Sequence, residues 1–253
     1  MALREYIKRI FTVRKCVCCR SILSVSDFEE AFCPECDLSW QRAKTENCPE
    51  CYGAASECSC MPKQLSSAGA LTLRRLFFYS AKRENEPQNR LVYYLKHHKS
   101  KRAADFCAAA LVRAAKEEAK TLGVDIEDFL VVSMPRGRRA VSEYGFDQSE
   151  EICEALAQRL GAKYCSALGR KFGGREQKKL NAAQRKKNIA NLIYVRDDMS
   201  KELKGRYVLL FDDVVTTGAS LSVCVSLLRR AGVKGVVCLT LASDIKKEIS
   251  ASR

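Results

Sequence analysis

The sequence predicts an α/β protein in which helices flank a parallel β-sheet, preceded by a small cysteine-rich domain. Short, wholly apolar runs alternate with amphipathic segments from residue 88 to residue 241, a pattern typical of strands buried between layers of helices. Nine of the 14 cysteines lie in the first 60 residues. The length of 253 residues suits one medium domain and a small companion. We therefore expect a cysteine-rich domain at residues 1–62 and an α/β domain at residues 63–253.

Hydrophobic periodicity and glycine stops define the elements of the α/β domain. Leu91, Tyr94, Leu95 and His98 recur at helical spacing, and glycine after an amphipathic segment is typical of a helix end. In chain order we expect a linker at Met61–Gly69, a helix from Gln88, an alanine-rich helix at Ala103–Lys120, a strand at Phe129–Val132, a helix at Ser149–Leu160 stopped by Gly161, a strand at Tyr207–Phe211, a helix around Leu221–Leu228 stopped by Gly232, a strand at Val236–Leu241 and a frayed end at Ser243–Arg253.

The net charge of the chain indicates which classes of partner it could bind. Its net charge of +14 favours a polyanionic partner such as nucleic acid, nucleotides or an anionic membrane surface; a solvated basic surface is the alternative. No run of 18 apolar residues is present, so we expect no transmembrane segment. Met1–Arg14 mixes charged with apolar residues and lacks the pattern of a signal peptide. We therefore expect a cytoplasmic protein.

The cysteines of the first 60 residues form closely spaced pairs. Two such pairs can converge on one tetrahedral Zn²⁺, and four thiolates make a closed structural site. We expect one or two zinc ions in a zinc-ribbon-like domain, with the ligands paired sequentially: Cys16, Cys19, Cys33 and Cys36 on one ion, and Cys48, Cys51, Cys58 and Cys60 on the other. Cys18 is an alternative to Cys16 or Cys19, the tight Cys58–Cys60 spacing makes the second site unusual, and a redox C-x-x-C is the competing interpretation. The five remaining cysteines stand singly in apolar surroundings and are expected to be small buried side chains.

The stretch Tyr207–Ser220 carries the clearest chemistry. A buried strand leads to the adjacent acids Asp212 and Asp213, and a turn rich in Thr, Gly and Ser then opens a helix. Ligands of open α/β folds bind at this edge of the sheet, where backbone N–H groups and a helix N-terminus favour a phosphate. Two acids beside a phosphate site suit the hydroxyls of a ribose 5-phosphate. The alternative is an ordinary strand–turn–helix capped by Thr217 or Ser220.

This segment resembles the signature with which type I phosphoribosyltransferases bind 5-phosphoribosyl pyrophosphate (PRPP). The resemblance covers Val208–Ser220 without a gap and implies a type I phosphoribosyltransferase-like fold. It implies that Asp212 and Asp213 contact the ribose hydroxyls and that Mg²⁺ bridges ribose and pyrophosphate. The phosphoribosyl-binding residues that it implies are Asp212, Asp213, Val214, Val215, Thr216, Thr217, Gly218, Ala219 and Ser220.

Further segments narrow the resemblance to the ComF family of competence-associated proteins. Beyond the cysteine pairs, Arg136–Ser149 and the residues Gln177, Leu180, Arg185 and Asn188 look like that family. The loop after Phe129–Val132 binds pyrophosphate in this fold, which implies a role for Arg136, Gly137 and Arg138. This loop is one residue longer than the usual pattern and retains only Pro135. The ComF resemblance implies participation in natural transformation.

Phosphoribosyl transfer needs no protein nucleophile, since the ribose passes through an oxocarbenium-like state while pyrophosphate leaves. The protein has to position the reactants and stabilise the separating charges. If the chain is an enzyme, it is a Mg–PRPP-dependent glycosyltransferase with Asp212 and Asp213 as catalytic residues. Arg170–Lys187 is strongly basic and is interpreted either as a closing loop or as a solvated or nucleic-acid-binding face. No residue of the sequence identifies an acceptor, so the enzyme assignment stays open.

Three functions remain in competition. The first is a PRPP-binding protein of DNA uptake that handles single-stranded DNA in the cytoplasm, together with a helicase or channel component. For this function, the basic stretches Lys82–Arg102 and Arg170–Lys187 would follow phosphates, while Tyr93, Tyr94 and Phe172 would stack on bases. The second is an active phosphoribosyltransferase of nucleotide metabolism, and the third is a PRPP-sensing regulator that binds nucleic acid.

Overall fold

The computed structural model describes residues 13–24, 26–27, 30–137, 145–171 and 192–244. Within these residues a five-stranded parallel sheet has the order β1-β7-β6-β2-β3, and β4 and β5 form a separate antiparallel pair. The strands are β1 (Ala70–Tyr79), β2 (Phe129–Ser133), β3 (Lys163–Tyr164), β4 (Leu168–Arg170), β5 (Ile193–Val195), β6 (Tyr207–Val215) and β7 (Gly235–Asp244).

Helices cover this sheet and confirm the predicted fold class. They are α1 (Pro34–Lys44), α2 (Lys63–Ser67), α3 (Pro87–His97), α4 (Lys101–Leu122), α5 (Gln148–Leu160), α6 (Ser200–Leu203) and α7 (Ala219–Arg230). The helix ends follow local chemistry: the Asp147 carboxylate accepts the N–H of Ser149 at 2.9 Å at the start of α5, and Gly161 ends it with φ +68°. None of the helices in the described segments is long and apolar enough to cross a membrane.

The two faces of β6 show why the strand is apolar throughout. Leu209 and Phe211 belong to one hydrophobic cluster, whereas Val208 and Leu210 belong to another, because successive side chains of a strand point to opposite faces. The first cluster includes side chains of α3, α4 and α5, and the second includes those of α7. β6 is therefore buried on both sides and holds the residues that follow in a fixed position.

The structure differs from the sequence prediction at three places. β6 continues to Val215, so the acid pair lies within the strand. The expected linker at Met61–Gly69 contains α2, whose Leu65 is completely buried. Strand β1 was not predicted, because two arginines interrupt its apolar pattern, yet both are buried in the fold.

The cysteine-rich segment packs against the α/β fold through aromatic rings. Trp40 of α1 lies 5.3 Å from Phe77 of β1 and 5.4 Å from Phe106 of α4, between ring centroids. Phe32 lies 5.4 Å from Phe106. One hydrophobic cluster runs through both parts of the chain; the domain boundary after residue 62 stays a prediction.

The five isolated cysteines confirm their predicted role. All are buried free thiols, namely Cys107, Cys153, Cys165, Cys224 and Cys238. The expectation of a frayed end after Ser243 concerns mainly residues 245–253, which lie outside the described residues.

Candidate functional site

The acid pair of β6 is held by hydrogen bonds from its own strand and from α5, and by an ion pair with α3. Asp212 accepts the backbone N–H of Asp213 at 3.0 Å through Oδ1. The Oδ1 atom of Asp213 accepts the N–H of Val214 at 2.7 Å. Its Oδ2 atom lies 3.2 Å from Nε2 of Gln148 and 3.5 Å from Nζ of Lys96. The first residue of α5 and the last turn of α3 thus meet at this carboxylate.

The two carboxylates have different electrostatic surroundings. Burial raises the pKa of Asp212 from 3.8 to about 8, the negative charge of Asp213 adds to this rise, and Lys96 opposes it. Desolvation and a like charge both disfavour the ionised form. Asp213 is the member of the pair that the Lys96 ammonium contacts directly, and 16% of its side chain is exposed against 40% for Lys96. The pair therefore presents one carboxyl that favours its neutral form beside one with a cationic neighbour.

The loop after β6 leads into α7 through a glycine that the local geometry requires. Gly218 has φ +71° and is the N-terminal cap of α7 without a side-chain cap. A Cβ atom at Gly218 would lie 3.3 Å from Cγ of Pro62, so both the backbone conformation and the space favour glycine. The alternative of a Thr217 or Ser220 cap is wrong for this helix, although Thr217 Oγ1 accepts the N–H of Ala219 at 3.4 Å.

The loop borders a small cavity. Its volume is about 40 Å³. The residues around it are those that the sequence singled out, together with one buried leucine: Asp212, Val214, Val215, Thr216, Thr217, Gly218, Ala219, Ser220 and Leu221. The first N–H groups of a helix have no partner within the helix, so this cavity combines N–H donors, hydroxyl groups and a carboxyl group.

The loop after β2 brings a second predicted segment to the same edge of the sheet. The backbone N–H of Arg136 donates to Asp147 Oδ2 at 3.2 Å, and its guanidinium donates to the carbonyl oxygen of Lys96 at 2.9 Å. A Cβ atom on Gly137 would lie 3.9 Å from Cζ of Arg170. Arg138, the third predicted pyrophosphate ligand, lies outside the described residues, as do the parts of the basic segment at 172–187.

A larger cavity of about 160 Å³ lies beside this loop. Three arginines contribute to its wall: Arg136, Arg170 and Arg196. Burial lowers the pKa of Arg170, although a guanidinium remains charged at any physiological pH. Tyr194 occupies the space where a side chain on Gly169 would lie, since a Cβ there would be 2.5 Å from its ring. The wall of this cavity thus combines three guanidinium groups with the carboxyl groups of Asp147 and Glu150.

The eight predicted cysteine ligands form two separate groups. The sulfur atoms within each group lie within 4.8 Å of one another, and the groups are Cys16, Cys19, Cys33 and Cys36, and Cys48, Cys51, Cys58 and Cys60. We call these the first and second clusters. Tetrahedral Zn–S bonds of about 2.3 Å imply S–S distances of about 3.8 Å, and Cys19–Cys33 and Cys51–Cys58 are both 3.6 Å apart. Each cluster could hold one structural metal ion such as zinc, and each unites the cysteines that the sequence groups together.

Both clusters begin with the same backbone turn. Arg20 and Tyr52 directly follow the second cysteine of their pairs, and both have positive φ, 66° and 61°. Their N–H groups donate to the carbonyls of Cys16 and Cys48 at 3.1 and 2.9 Å. Cys18 belongs to neither cluster, and its sulfur lies 3.7 Å from the carbonyl oxygen of Asn85.

One cysteine pair lies at the start of a helix. Cys33 precedes α1 as its N-terminal cap, and Cys36 lies in its first turn, so this pair opens a helix in the way that redox C-x-x-C pairs do. The helix N-terminus stabilises thiolates. However, both sulfurs lie with those of Cys16 and Cys19, which favours a four-sulfur metal site over a redox pair.

Sequence reasoning missed two polar residues of the site. From the sequence, Lys96 belongs only to the basic stretch Lys82–Arg102 and Gln148 only to the ComF-like segment Arg136–Ser149. Both contact Asp213. The helical pattern at Leu91–His98 did indicate that Lys96 lies on a polar face, but the contact depends on how α3 approaches β6.

Comparison with known proteins finds one matching domain family and several curated relatives. The family described as phosphoribosyl transferase domain matches residues 148–251. The DNA utilization protein YhgH of Escherichia coli K12 is 29% identical over 160 residues, which are 61% of this chain and 68% of that protein. The Salmonella typhimurium protein of the same name is 28% identical over 89% of this chain and 97% of its own length. The competence protein ComFC of Streptococcus pneumoniae is 24% identical over 87% and 91%.

Solved structures show more distant similarity. Phosphoribosylpyrophosphate synthetase from Mycobacterium smegmatis matches 53% of this chain with 19% identity and a TM-score of 0.32. The allosteric regulatory enzyme of purine biosynthesis matches 59% with 17% identity and a TM-score of 0.37. The chain spans about a third of the length of each, 33% and 30%. Residues 148–251 are thus similar to a phosphoribosyl transferase domain, and the relatives that align with most of the chain carry the names of DNA utilization and competence proteins.

Proposed function

We propose that this protein binds Mg–PRPP at the carboxyl end of β6 and acts in the uptake and handling of DNA. PRPP binding is supported by one observation: the acid pair lies next to the cavity that the loop before α7 borders. Asp212 borders that cavity directly, and Asp213 is contacted by Lys96. Carboxylates for the ribose hydroxyls, a small cavity with N–H and hydroxyl donors for the 5-phosphate and a cation for the pyrophosphate lie at one sheet edge, and they match the three parts of PRPP.

Different residues of the site would bind the different parts of PRPP. The loop Thr216–Ser220 would bind the 5-phosphate through N–H groups and hydroxyls, and the two acids would accept hydrogen bonds from the ribose hydroxyls. Mg²⁺, when bound with the ligand, supplies positive charge that neutralises pyrophosphate. Arg136, Gly137 and Arg138 would serve the pyrophosphate. Arg136 would have to exchange the carbonyl of Lys96 for this ligand.

The two cysteine clusters would each hold a structural Zn²⁺. Four sulfur donors close the coordination sphere, so the metal has no open position for a substrate. The chain segment from residue 13 to residue 62 is small, and metal binding would supply a large part of its folding free energy. We therefore assign zinc a structural role.

The second part of the proposal is a single-stranded DNA surface on α3. Two relatives are named a DNA utilization protein and a competence protein, and the chain has a net charge of +14. Tyr93 is 64% exposed and stacks on His97 with ring centroids 4.2 Å apart, whereas Tyr94 packs partly against the core. An exposed aromatic ring on a basic helix can stack on a base, which makes Tyr93 the better candidate of the two.

An active phosphoribosyltransferase remains the second candidate, favoured by the cavity that Arg136, Arg170 and Arg196 line. It would require an acceptor in or near that cavity. A regulator that senses PRPP would use the same site without transfer. The cytoplasm and a helicase or channel partner belong to the DNA-uptake proposal.

A calorimetric titration with PRPP and Mg²⁺, with and without single-stranded DNA, tests the proposal. We expect binding that disappears when Asp212 and Asp213 are both replaced by Ala. A change in PRPP affinity on adding DNA would favour the regulator, and pyrophosphate release that requires a nucleobase or amine would favour the transferase. Unchanged PRPP binding in the double variant would refute the assigned site.

A further inference from the structure

Arg75 is a buried cation that points at the second cysteine cluster. It lies on β1 with 0% of its surface exposed. Its Nη1 atom is 3.1 Å from the sulfur of Cys58, and its Nη2 atom donates to the carbonyl oxygen of Cys60. The guanidinium carbon lies 5.5 Å from the ring centroid of Phe78. The guanidinium therefore contacts two residues of the cluster at once.

The neighbouring Arg74 points to the other face of the strand, and its positive charge is neutralised in a different way. Arg74 contacts Glu117 at 2.7 Å and Glu118 at 2.9 Å, both on α4. A buried guanidinium requires negative charge nearby, and for Arg74 carboxylates supply it. Arg75 instead lies against sulfur, in a cluster of buried residues made of Cys48, Ala55, Cys58 and Phe78.

We propose that Arg75 is the counter-ion of a metal–thiolate complex in the second cluster and sets the affinity of that site for its metal. Four thiolates and one divalent cation carry a net charge of −2, and a buried guanidinium in contact with a ligand sulfur stabilises that charge. Hydrogen bonds from the outer shell also fix the orientation of a metal ligand. This proposal rests on metal binding by the second cluster and concerns the role of Arg75 alone.

The arrangement also joins the metal site to the α/β fold. Cys58 and Cys60 lie in the segment before α2, whereas Arg75 lies in the middle of β1, next to Thr240 of β7 in the strand register. The second cluster is thus tied to the main sheet by charge, in addition to packing.

The test compares the two clusters within one molecule. Purified full-length protein is loaded with Zn²⁺, and release of each equivalent to a chromogenic chelator is followed in time. We compare the unchanged protein with Arg75→Gln, which removes the charge, Arg75→Lys, which keeps it without the bidentate geometry, and Arg74→Gln as the matched control. Loading with Co²⁺ gives a second readout, because the sulfur-to-metal charge-transfer band reports on the ligand sulfur itself.

We expect one equivalent to leave about 10 to 100 times faster in Arg75→Gln, with a smaller effect in Arg75→Lys and none in Arg74→Gln. The equivalent in the first cluster should keep its release rate, and the charge-transfer band of one Co²⁺ should shift.

Equal release of both equivalents in all variants would overturn the proposal. If Arg75→Gln does not fold, Arg75→Lys decides in the same way: selective release from one site supports the counter-ion role, and unchanged release overturns it. Fewer than two equivalents bound to the unchanged protein would overturn metal binding itself.

Discussion

Replacing Asp212 by Asn removes a carboxyl whose pKa rises from 3.8 to about 8 on folding, mainly through burial. Asn keeps the Oδ1 acceptor that the N–H of Asp213 uses at 3.0 Å, so the change removes the titration and little else. A folded-state pKa above the unfolded one means that protonated Asp212 stabilises the fold fully at low pH. This contribution is lost as the pH rises from about 4 to about 8.

The size of the effect follows from the two pKa values. One pKa unit corresponds to about 1.4 kcal/mol, so a rise from 3.8 to about 8 sets an upper limit of roughly 5 kcal/mol at pH 8. Asp212 is only half-buried, and we expect about 2 kcal/mol once water screening is included. For a chain of this length, 1 kcal/mol shifts Tm by roughly 2–4 °C.

Thermal unfolding followed by circular dichroism at pH 5, 6.5 and 8 measures this effect. We expect Asp212→Asn to melt about 5 °C above the unchanged protein at pH 8, with a smaller difference at pH 5. Asp198→Asn, at an exposed carboxylate outside the site, is the control and should show no such trend. The reasoning is refuted if Asp212→Asn is no more stable at pH 8 than the unchanged protein, or if the gain is constant with pH. The stabilised variant should also lose PRPP binding, because the carboxyl group that lowers the stability of the fold is the one that the ligand requires.

Other perturbations test separate parts of the structure. Lys96→Met should weaken PRPP binding about tenfold in calorimetry, since it removes the ammonium 3.5 Å from Asp213, while Lys99→Met, whose ammonium contacts Glu151, should bind as before. Gly218→Ala should lower the free energy of unfolding by more than the 1–2 kcal/mol of a left-handed backbone alone, because the new methyl meets Pro62. Gly205→Ala, with φ +77° and open space, measures that backbone cost by itself, and equal losses would contradict the proposed contact. Metal removal by a strong chelator should change the fluorescence of Trp40, the one tryptophan of the chain, and restoring Zn²⁺ should reverse it; an unchanged spectrum would argue against metal-dependent packing.

The parts of the site that sequence reasoning found are those encoded over short distances. The acid pair and the α7 loop lie within one continuous segment, and each cysteine cluster joins pairs that follow one another along the chain. Their local order limits the possible groupings, so spacing alone predicted them. The strand containing the acids is longer than predicted, because Asp212 and Asp213 interrupt the apolar run while Asp212, Val214 and Val215 continue to pair with β7.

The parts that were missed depend on tertiary approach. Gln148 reaches Asp213 across 65 positions of sequence, and no periodicity encodes such a contact. Strand β1 escaped prediction because Arg74 and Arg75 look like surface residues, whereas Glu117, Glu118 and the second cluster make their burial possible. A buried charge can be recognised only when its partner is known, and that partner lies elsewhere in the chain.

The aromatic contact between Trp40, Phe77 and Phe106 has a consequence for the order of events during synthesis. The cysteine-rich segment leaves the ribosome before β1 and α4, and N-terminal parts generally fold first. Trp40 and Phe32 cannot contact Phe106 until it has been synthesised, some sixty residues later. Synthesis proceeds at about 5–20 residues per second. For several seconds the nascent chain therefore carries Trp40 and Phe32 without their partner on α4, and we expect metal binding by the cysteine clusters to support folding of the segment in that interval.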